Sequence, residues 1–314
     1  MSITSLLGFS SPADIDVSFT GEESRKLVEV KVGKNRREQF PLYLDGETVS
    51  GLVHIRLLGG KKLDHLGIKI ELVGSIEMIY DRGRHSDFLS LSHELAAPGE
   101  LHHNTKYDFT FKNVEKAYES YQGINIRLRY FVRVTISRRI SDVVQERDLW
   151  VYSYKPLPEK NDASIKMEVG IENALHLEFE YNKSRYHLKD VIVGKIYFML
   201  IRIRIKHMEL SIIRQEMTGS GPNQYSESET IAKFEIMDGA PTRGETIPIR
   251  LFLGGYELTP TFIDVNKKFS TCYFLSLVLI DEENRRYFKQ QEVTLYRRRV
   301  DDGFPPEGEG QNGP

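Results

Sequence analysis

Apolar and polar residues alternate with a period of two over most of this chain. Ile165, Met167, Val169 and Ile171 alternate with Lys166, Glu168 and Gly170, and Leu175, Leu177, Phe179 and Tyr181 alternate with His176, Glu178 and Glu180. Period two sends successive side chains to opposite faces of a strand. The stretch from Ala163 to Glu216 therefore predicts antiparallel strands with one dry and one wet face. Upstream, Val49, Gly51, Val53, Ile55 and Leu57 share one parity, and after Gly59-Gly60 the alternation resumes from Ile68 to Tyr80. Tyr107, Phe109 and Phe111 predict another strand, and Ile126, Leu128, Tyr130, Val132, Val134 and Ile136 a long one. Asp14 to Phe19 and Leu27 to Lys31 are shorter strand-like runs. The basic stretch from Gly33 to Glu38 and the polar one from Asp81 to Ser86 read as loops. Helical signals are weak, and Phe88 to Leu95 is the best candidate for a short helix.

The pattern occurs twice. Tyr43 and Tyr186, Gly51 and Gly194, and Tyr130 and Tyr273 are each 143 residues apart, while Ile68 to Met208 and Gly99 to Gly244 span 140 and 145. A near-constant offset with the same order of strands and turns predicts an all-β chain of two antiparallel β-sandwich domains. The Pro- and charge-rich segment after Tyr154 marks the boundary. We expect an N-terminal sandwich over 1–153, a linker over 154–163, a C-terminal sandwich over 164–300 and a disordered Gly/Pro/acidic tail over 301–314. Apolar parity flips near Lys206-His207, which either a β-bulge or a tight connection would produce.

Of the 314 residues, 40% are hydrophobic and 28% charged, with a formal net charge of -2. That is an ordinary globular balance, and it supplies no global field toward nucleic acid or anionic lipid. The single cysteine, Cys272, excludes an internal disulfide and, without a signal-like start, suggests a reducing cytosolic compartment. The opening residues read as a loose end, and no stretch reaches the ~20 apolar residues of a membrane span.

Candidate chemistry is sparse. The nine histidines form no H-E-x-x-H pair or Cys/His cluster, and His102-His103, His54 and His176 read as solvated. Cys272 has no local base and reads as inert. Phosphate loops and nucleophile elbows are missing, and Gly219 to Pro222 reads as a flexible loop. Asn182-Lys183-Ser184 matches a glycosylation sequon, of no use to a cytosolic chain. Arg202, Arg204 and Lys206, and Arg127, Arg129 and Arg133, would each line one strand face. They read either as a face balanced by neighbouring acids or as a contact for acidic partners or lipid headgroups. No interleaved aromatics suggest nucleic-acid stacking. In "FEIMDGAPTRGE", Phe234 to Glu245, a strand enters a turn forced by Asp238-Gly239 and Pro241. Ile236 and Met237 there read either as an exposed apolar spot for a partner or as the inward face of a hairpin.

Several longer blocks carry a resemblance. Ala117 to Tyr121 followed by "GINIRLRYFVRVTI", then "SIKMEVGIE", "HLEFEYNKSRYHLKDVIVGKIYF", "ETIAKFEIMDGAP", "GETIPIRLFL" and "DEENRRYFKQQEVTLYR", together resemble the small, arrestin-like subunit of retromer, the endosomal sorting coat. The likeness spans residues 1–298 and is weakest over 27–40. It implies two arrestin-like β-sandwiches, no catalysis, no cofactor and no metal. It also implies that Ile236, Met237, Asp238, Gly239, Ala240, Pro241 and Arg243 bind the helical-solenoid subunit. The domain junction, here Tyr154, Ile165, Met167 and Val169, would meet a sorting nexin and the cytoplasmic tail of a cargo, with strand addition at the edge of Ile165 to Val169. The expected location is the cytoplasm and the cytosolic face of endosomes, reached peripherally through the coat. A general arrestin-related scaffold recruiting a ubiquitin ligase is the alternative, but "FPPEGEG" in the tail lacks the Tyr of a Pro-Pro-x-Tyr motif.

Overall fold

The computed structural model describes residues 11–33, 35–60, 62–79, 85–154, 163–219 and 224–298. The expected loose N-terminal end, most of the linker, the tip of the Gly219 to Pro222 loop and the acidic tail lie outside these residues. The chain divides into two compact units, Met1–Ser153 and Tyr154–Pro314. Among the described residues there are strands, turns and short 3-10 turns, and no α-helix.

The first unit contains β1 (Ala13–Phe19), β2 (Leu27–Gly33), β3 (Arg36–Leu44), β4 (Val49–Leu57), β5 (Leu63–His65) and β6 (Gly67–Met78). It continues with β7 (His85–Ala96), β8 (Gly99–Leu101), β9 (Thr105–Phe111), β10 (Tyr121–Gln122), β11 (Ile126–Ser137) and β12 (Val143–Tyr152). One sheet runs β1-β4-β9 and the other β2-β3-β12-β11-β6-β7. Phe19 of β1 meets Tyr43 of β3 edge-on at 5.7 Å, and His93 of β7 stacks on Phe111 of β9 at 4.7 Å, so the sheets face each other. All six even-numbered residues from Ile126 to Ile136 are fully buried, as the alternation requires.

The second unit contains β13 (Ile165–Ile171), β14 (Leu175–Tyr181), β15 (Arg185–His187), β16 (Val191–Ile201), β17 (Ile205–Thr218), β18 (Tyr225–Asp238), β19 (Thr246–Phe252), β20 (Phe269–Asp281) and β21 (Arg286–Tyr296). Its sheets run β13-β14-β16-β19 and β15-β21-β20-β17-β18. Leu177, Phe179, Ile196 and Ile249 from the first sheet share one core with Met208, Leu210, Leu275 and Leu277 from the second.

The repeat holds at the level of hydrogen bonds. Both units break the antiparallel rule in the same place: β3 pairs in parallel with β12 through Tyr43↔Val151, and β15 with β21 through Tyr186↔Leu295. The buried Tyr130 hydroxyl donates to the Tyr118 carbonyl at 2.8 Å, and the equivalent Tyr273 hydroxyl accepts from the Thr259 amide at 3.0 Å. Two residues further on, the Ser120 amide donates to the Val151 carbonyl and the Val151 amide to Ser120 Oγ. Thr261 and Leu295 repeat that exchange, with the Leu295 amide on Thr261 Oγ1. Gly51 and Gly194 have the same cause as well. A Cβ on Gly51 would lie 2.1 Å from the Ser18 carbonyl oxygen and 2.8 Å from the Phe109 ring, and one on Gly194 2.5 Å from the Glu180 oxygen. Each glycine sits in a central strand where an aromatic neighbour crosses the position its side chain would take.

Three sequence expectations need correcting or completing. Phe88 to Leu95 is not a helix but part of β7, an edge strand in which Phe88 and Leu95 are the extra residues of two bulges, which breaks its alternation at both ends. Phe88 packs edge-on against Tyr118 and Tyr130 and fills the space above Gly74. The basic stretch from Gly33 to Glu38 is not all loop, because β3 begins at Arg36 and pairs Arg37 with Lys31. Arg37 reaches Glu29 at 3.6 Å, so the charges are met across the hairpin. The parity flip near Lys206 is a bulge: Ile205 pairs with Asp281 and His207 with Ile280, which leaves Lys206 as the extra residue.

Among the described residues Lys116 is the one lysine that is wholly buried. Its ammonium donates to the carbonyls of Leu44 (3.0 Å), Glu47 (2.6 Å) and Val114 (3.1 Å). Burial pushes its pKa down to about 8, against the pull of Glu47 and Asp45. The unfolded chain, titrating near ~10.4, keeps the proton that the folded chain releases. Stability from this residue therefore rises with pH between those values and falls as pH drops toward 8.

Two outcomes follow. Gly51→Ala lowers the stability of the first unit by about 1–3 kcal/mol through overpacking, read as an earlier urea midpoint in the fluorescence of Trp150, which stacks on Phe40. Lys116→Met leaves three carbonyls, that of Val114 buried and those of Leu44 and Glu47 partly so, without their donor and costs about 1–3 kcal/mol. The stability difference between wild type and this variant grows from pH 8 to pH 10, measured by urea unfolding at each pH.

Candidate docking site

The loop that joins the two sheets of the second unit is built from both its ends. β18 is an edge strand that pairs only with β17. Near its end Met237 faces Met208 while Glu235 faces Glu209, so Ile236 is the extra residue of a bulge. Ile236 and Met237 are both half-buried and pack against the core. Neither sequence reading holds alone: the pair is neither fully outside nor fully inside.

The chain then turns at Gly239, whose φ of 121° is open to glycine and strained for other residues. Its amide donates to the Lys206 carbonyl at 2.8 Å, which ties the turn to the bulge of β17. Pro241 is buried. A second turn follows, in which the Thr242 amide donates to Glu245 Oε2 at 2.7 Å and the Gly244 amide to the Phe198 carbonyl at 2.7 Å. Asp238, Gly239, Ala240 and Arg243 stand exposed on this frame. The loop is thus fixed by backbone bonds to β16 and β17 while its crown is left to solvent.

Two exposed apolar residues adjoin the loop, Phe234 from the segment singled out in the sequence and Met199 from outside it. Phe234 shares the face of its partner Leu210, yet at the sheet edge it stays 40% exposed. Met199 is 50% exposed and follows Phe198, whose backbone holds Gly244 and Glu245. Its parity, opposite to Ile196 and Phe198, already placed it on the outer face of β16.

The second candidate region is β13. It is the edge of its sheet and pairs only with β14. Ile165, Met167 and Val169 are half-buried and pack on the core, so the strand offers its unpaired backbone rather than its apolar side chains. Tyr154, also half-buried, precedes residues 155–162, which lie outside the described set.

The basic rows are largely neutralised. Arg129 contacts Glu77 at 3.2 Å and Glu146 at 3.0 Å as well as Asp148, Arg127 meets Asp148 at 3.0 Å, and Arg133 meets Glu146 at 2.8 Å. Arg202 and Arg204 do not line a strand, because they lie in the connection between β16 and β17. Arg204 faces Glu282 at 3.7 Å. Cys272 is buried, its Sγ 3.7 Å from Gln215 Oε1, and burial raises its thiol pKa. No helix among the described residues is long and apolar enough to cross a membrane.

Comparison with known proteins gives a consistent result. The family model described as "Vacuolar protein sorting-associated protein 26" matches residues 9–284. The chain is similar to vacuolar protein sorting-associated protein 26B-B of Xenopus laevis, 61% identical over 94% of this chain and 87% of the relative. It is 60% identical to the 26B proteins of Danio rerio and Homo sapiens, again over 94% of this chain, covering 89% and 88% of them.

Native Cys272 should react with an aromatic disulfide reagent at neutral pH at least about tenfold more slowly than in urea, because the thiolate is the reacting form and burial disfavours it.

Proposed function

Because the chain belongs to the vacuolar protein sorting-associated protein 26 family, we propose that it is a non-enzymatic adaptor in vacuolar and endosomal protein sorting, working as the small subunit of a retromer coat. In this reading the loop from Ile236 to Arg243 docks the end of the helical-solenoid subunit. A sorting nexin and a cargo tail meet the chain near Tyr154 and β13, where an extended peptide adds to the open edge. Membrane association is peripheral, on the cytosolic face of endosomes, and comes through the coat.

The observation that carries the docking reading is the fixed loop: an exposed crown beside half-buried Ile236 and Met237, on a backbone already held by Phe198 and Lys206. Pre-organisation of this kind lowers the ordering cost of association. Half-buried apolar residues at the base of a crown suit a small central hot spot.

Ile236→Asp with Met237→Asn abolishes capture of the solenoid subunit in a pull-down with purified proteins. Since both residues also touch the core, Arg243→Glu, at an exposed position, is the cleaner companion. It weakens capture about tenfold or more, the loss of roughly 1.4 kcal/mol, with an unchanged thermal unfolding curve. Full capture by both variants removes the loop from the interface.

A further inference from the structure

We propose that Glu168, His176 and Glu178 form a binding site for a divalent transition-metal ion, with Zn2+ the representative case, on the outer face of the four-stranded sheet. The three residues come from β13 and β14, and one donor atom of each lies within 4.8 Å of the others. Sequence spacing hides this set, because Glu168 is brought in by strand pairing: it sits directly opposite Glu178.

That pairing is the first argument. Two carboxylates directly opposed on one face of an antiparallel pair repel each other. The lysines of this face in β13 and β16 stand opposite another acid in the strand register. Glu180 is flanked by Lys166 on one side and Lys195 on the other. Glu168 and Glu178 are left with His176, whose Nε2 lies 3.9 Å from Glu178 Oε1.

The second argument is the space beside the imidazole. His176 faces Gly170 across the strand pair, and a Cβ on Gly170 would lie 3.9 Å from His176 Nδ1. Gly170 sends no side chain into the space beside the ring, so β13 does not crowd the imidazole there. The register of β14 with β13 is unbroken from Leu175 to Tyr181, so His176 and Glu178, two positions apart, share one face of the sheet.

The donor set selects the ion. One imidazole and two carboxylates suit Zn2+ and its neighbours, whereas Mg2+ and Ca2+ prefer oxygen alone. Donor atoms in a tetrahedral shell with bonds of about 2.0–2.1 Å stand roughly 3.4 Å apart, so the side chains must close in slightly. All three are at least partly exposed and have the freedom to do so. His207 offers a useful contrast. It too lies between two glutamates, Glu209 and Glu235, but through opposite ring nitrogens, so its neighbours do not converge on one point, and Lys233 already meets Glu209. A bound ion would tie β13 to β14 through side chains while leaving the outer backbone edge of β13 untouched.

The test is calorimetric titration of the full chain with ZnCl2 and separately with MgCl2 in chelator-free buffer, repeated on Glu168→Gln, His176→Gln and a His102→Gln/His103→Gln control. The expected result is one saturable Zn2+ site per chain, at least about tenfold weaker in each of the first two variants, unchanged in the control and absent with Mg2+. Hydrogen exchange of the β13 amides slows in the presence of Zn2+ in wild type and not in His176→Gln. The proposal is overturned if no saturable Zn2+ binding occurs, if it survives in Glu168→Gln and His176→Gln, or if it disappears in the control.

Discussion

The pairing of β17 with β20 is the constraint on which the second unit depends. These two central strands run against each other from Thr218↔Phe269 to Ile205↔Asp281, interrupted once, at Lys206. That single extra residue turns Met208, Leu210 and Ile212 toward the core after Ile205 has already faced it. Without it, either Ile205 or the three residues after it would face water. The bulge also presents the Lys206 carbonyl to Gly239, so the residue that corrects the sidedness of a central strand also anchors the loop proposed for docking. Core packing and the proposed recognition surface therefore share one backbone position.

Much of the fold could be read in the sequence because a period of two is a local signal. The long strands from Ile126 and Ile165 onward emerge where their alternation placed them. The doubled plan showed through Tyr130 and Tyr273 and through Gly51 and Gly194, residues held by a buried hydroxyl bond and by a ring that crosses the backbone. What escaped was set by partners far away in sequence. Phe88 to Leu95 breaks the period of two because its pairing with β6 makes bulges at both ends of the run. Lys116 gave no hint of burial, because its three acceptors are backbone carbonyls that any sequence supplies.

The candidate site was legible to a similar extent. The turn at Asp238-Gly239 followed from its residue types, but the half-buried state of Ile236 and Met237 depends on a bulge fixed by the facing strand. Met199, and the exposure of Phe234, entered the picture only once β16 and β18 were placed beside the loop. The arginine rows of the first unit illustrate the reverse case. They read either as a face balanced by neighbouring acids or as a contact for acidic partners, and Glu77, Glu146 and Asp148 on the adjoining strands favour the first by satisfying most of that charge.

The short parallel pairs carry a consequence for biogenesis. In each unit the segment that begins a sheet early, Leu42 to Leu44 or Arg185 to His187, is clasped by residues emerging more than a hundred positions later, Trp150 to Tyr152 or Thr294 to Tyr296. Such distant closure is slow, because loop entropy must be overcome before the contact repays it. During synthesis on the ribosome neither half can finish until its last strand clears the exit tunnel. Until then an open sheet edge waits for its partner, which makes this the interval in which a nascent chain most needs protection from sticking to its neighbours.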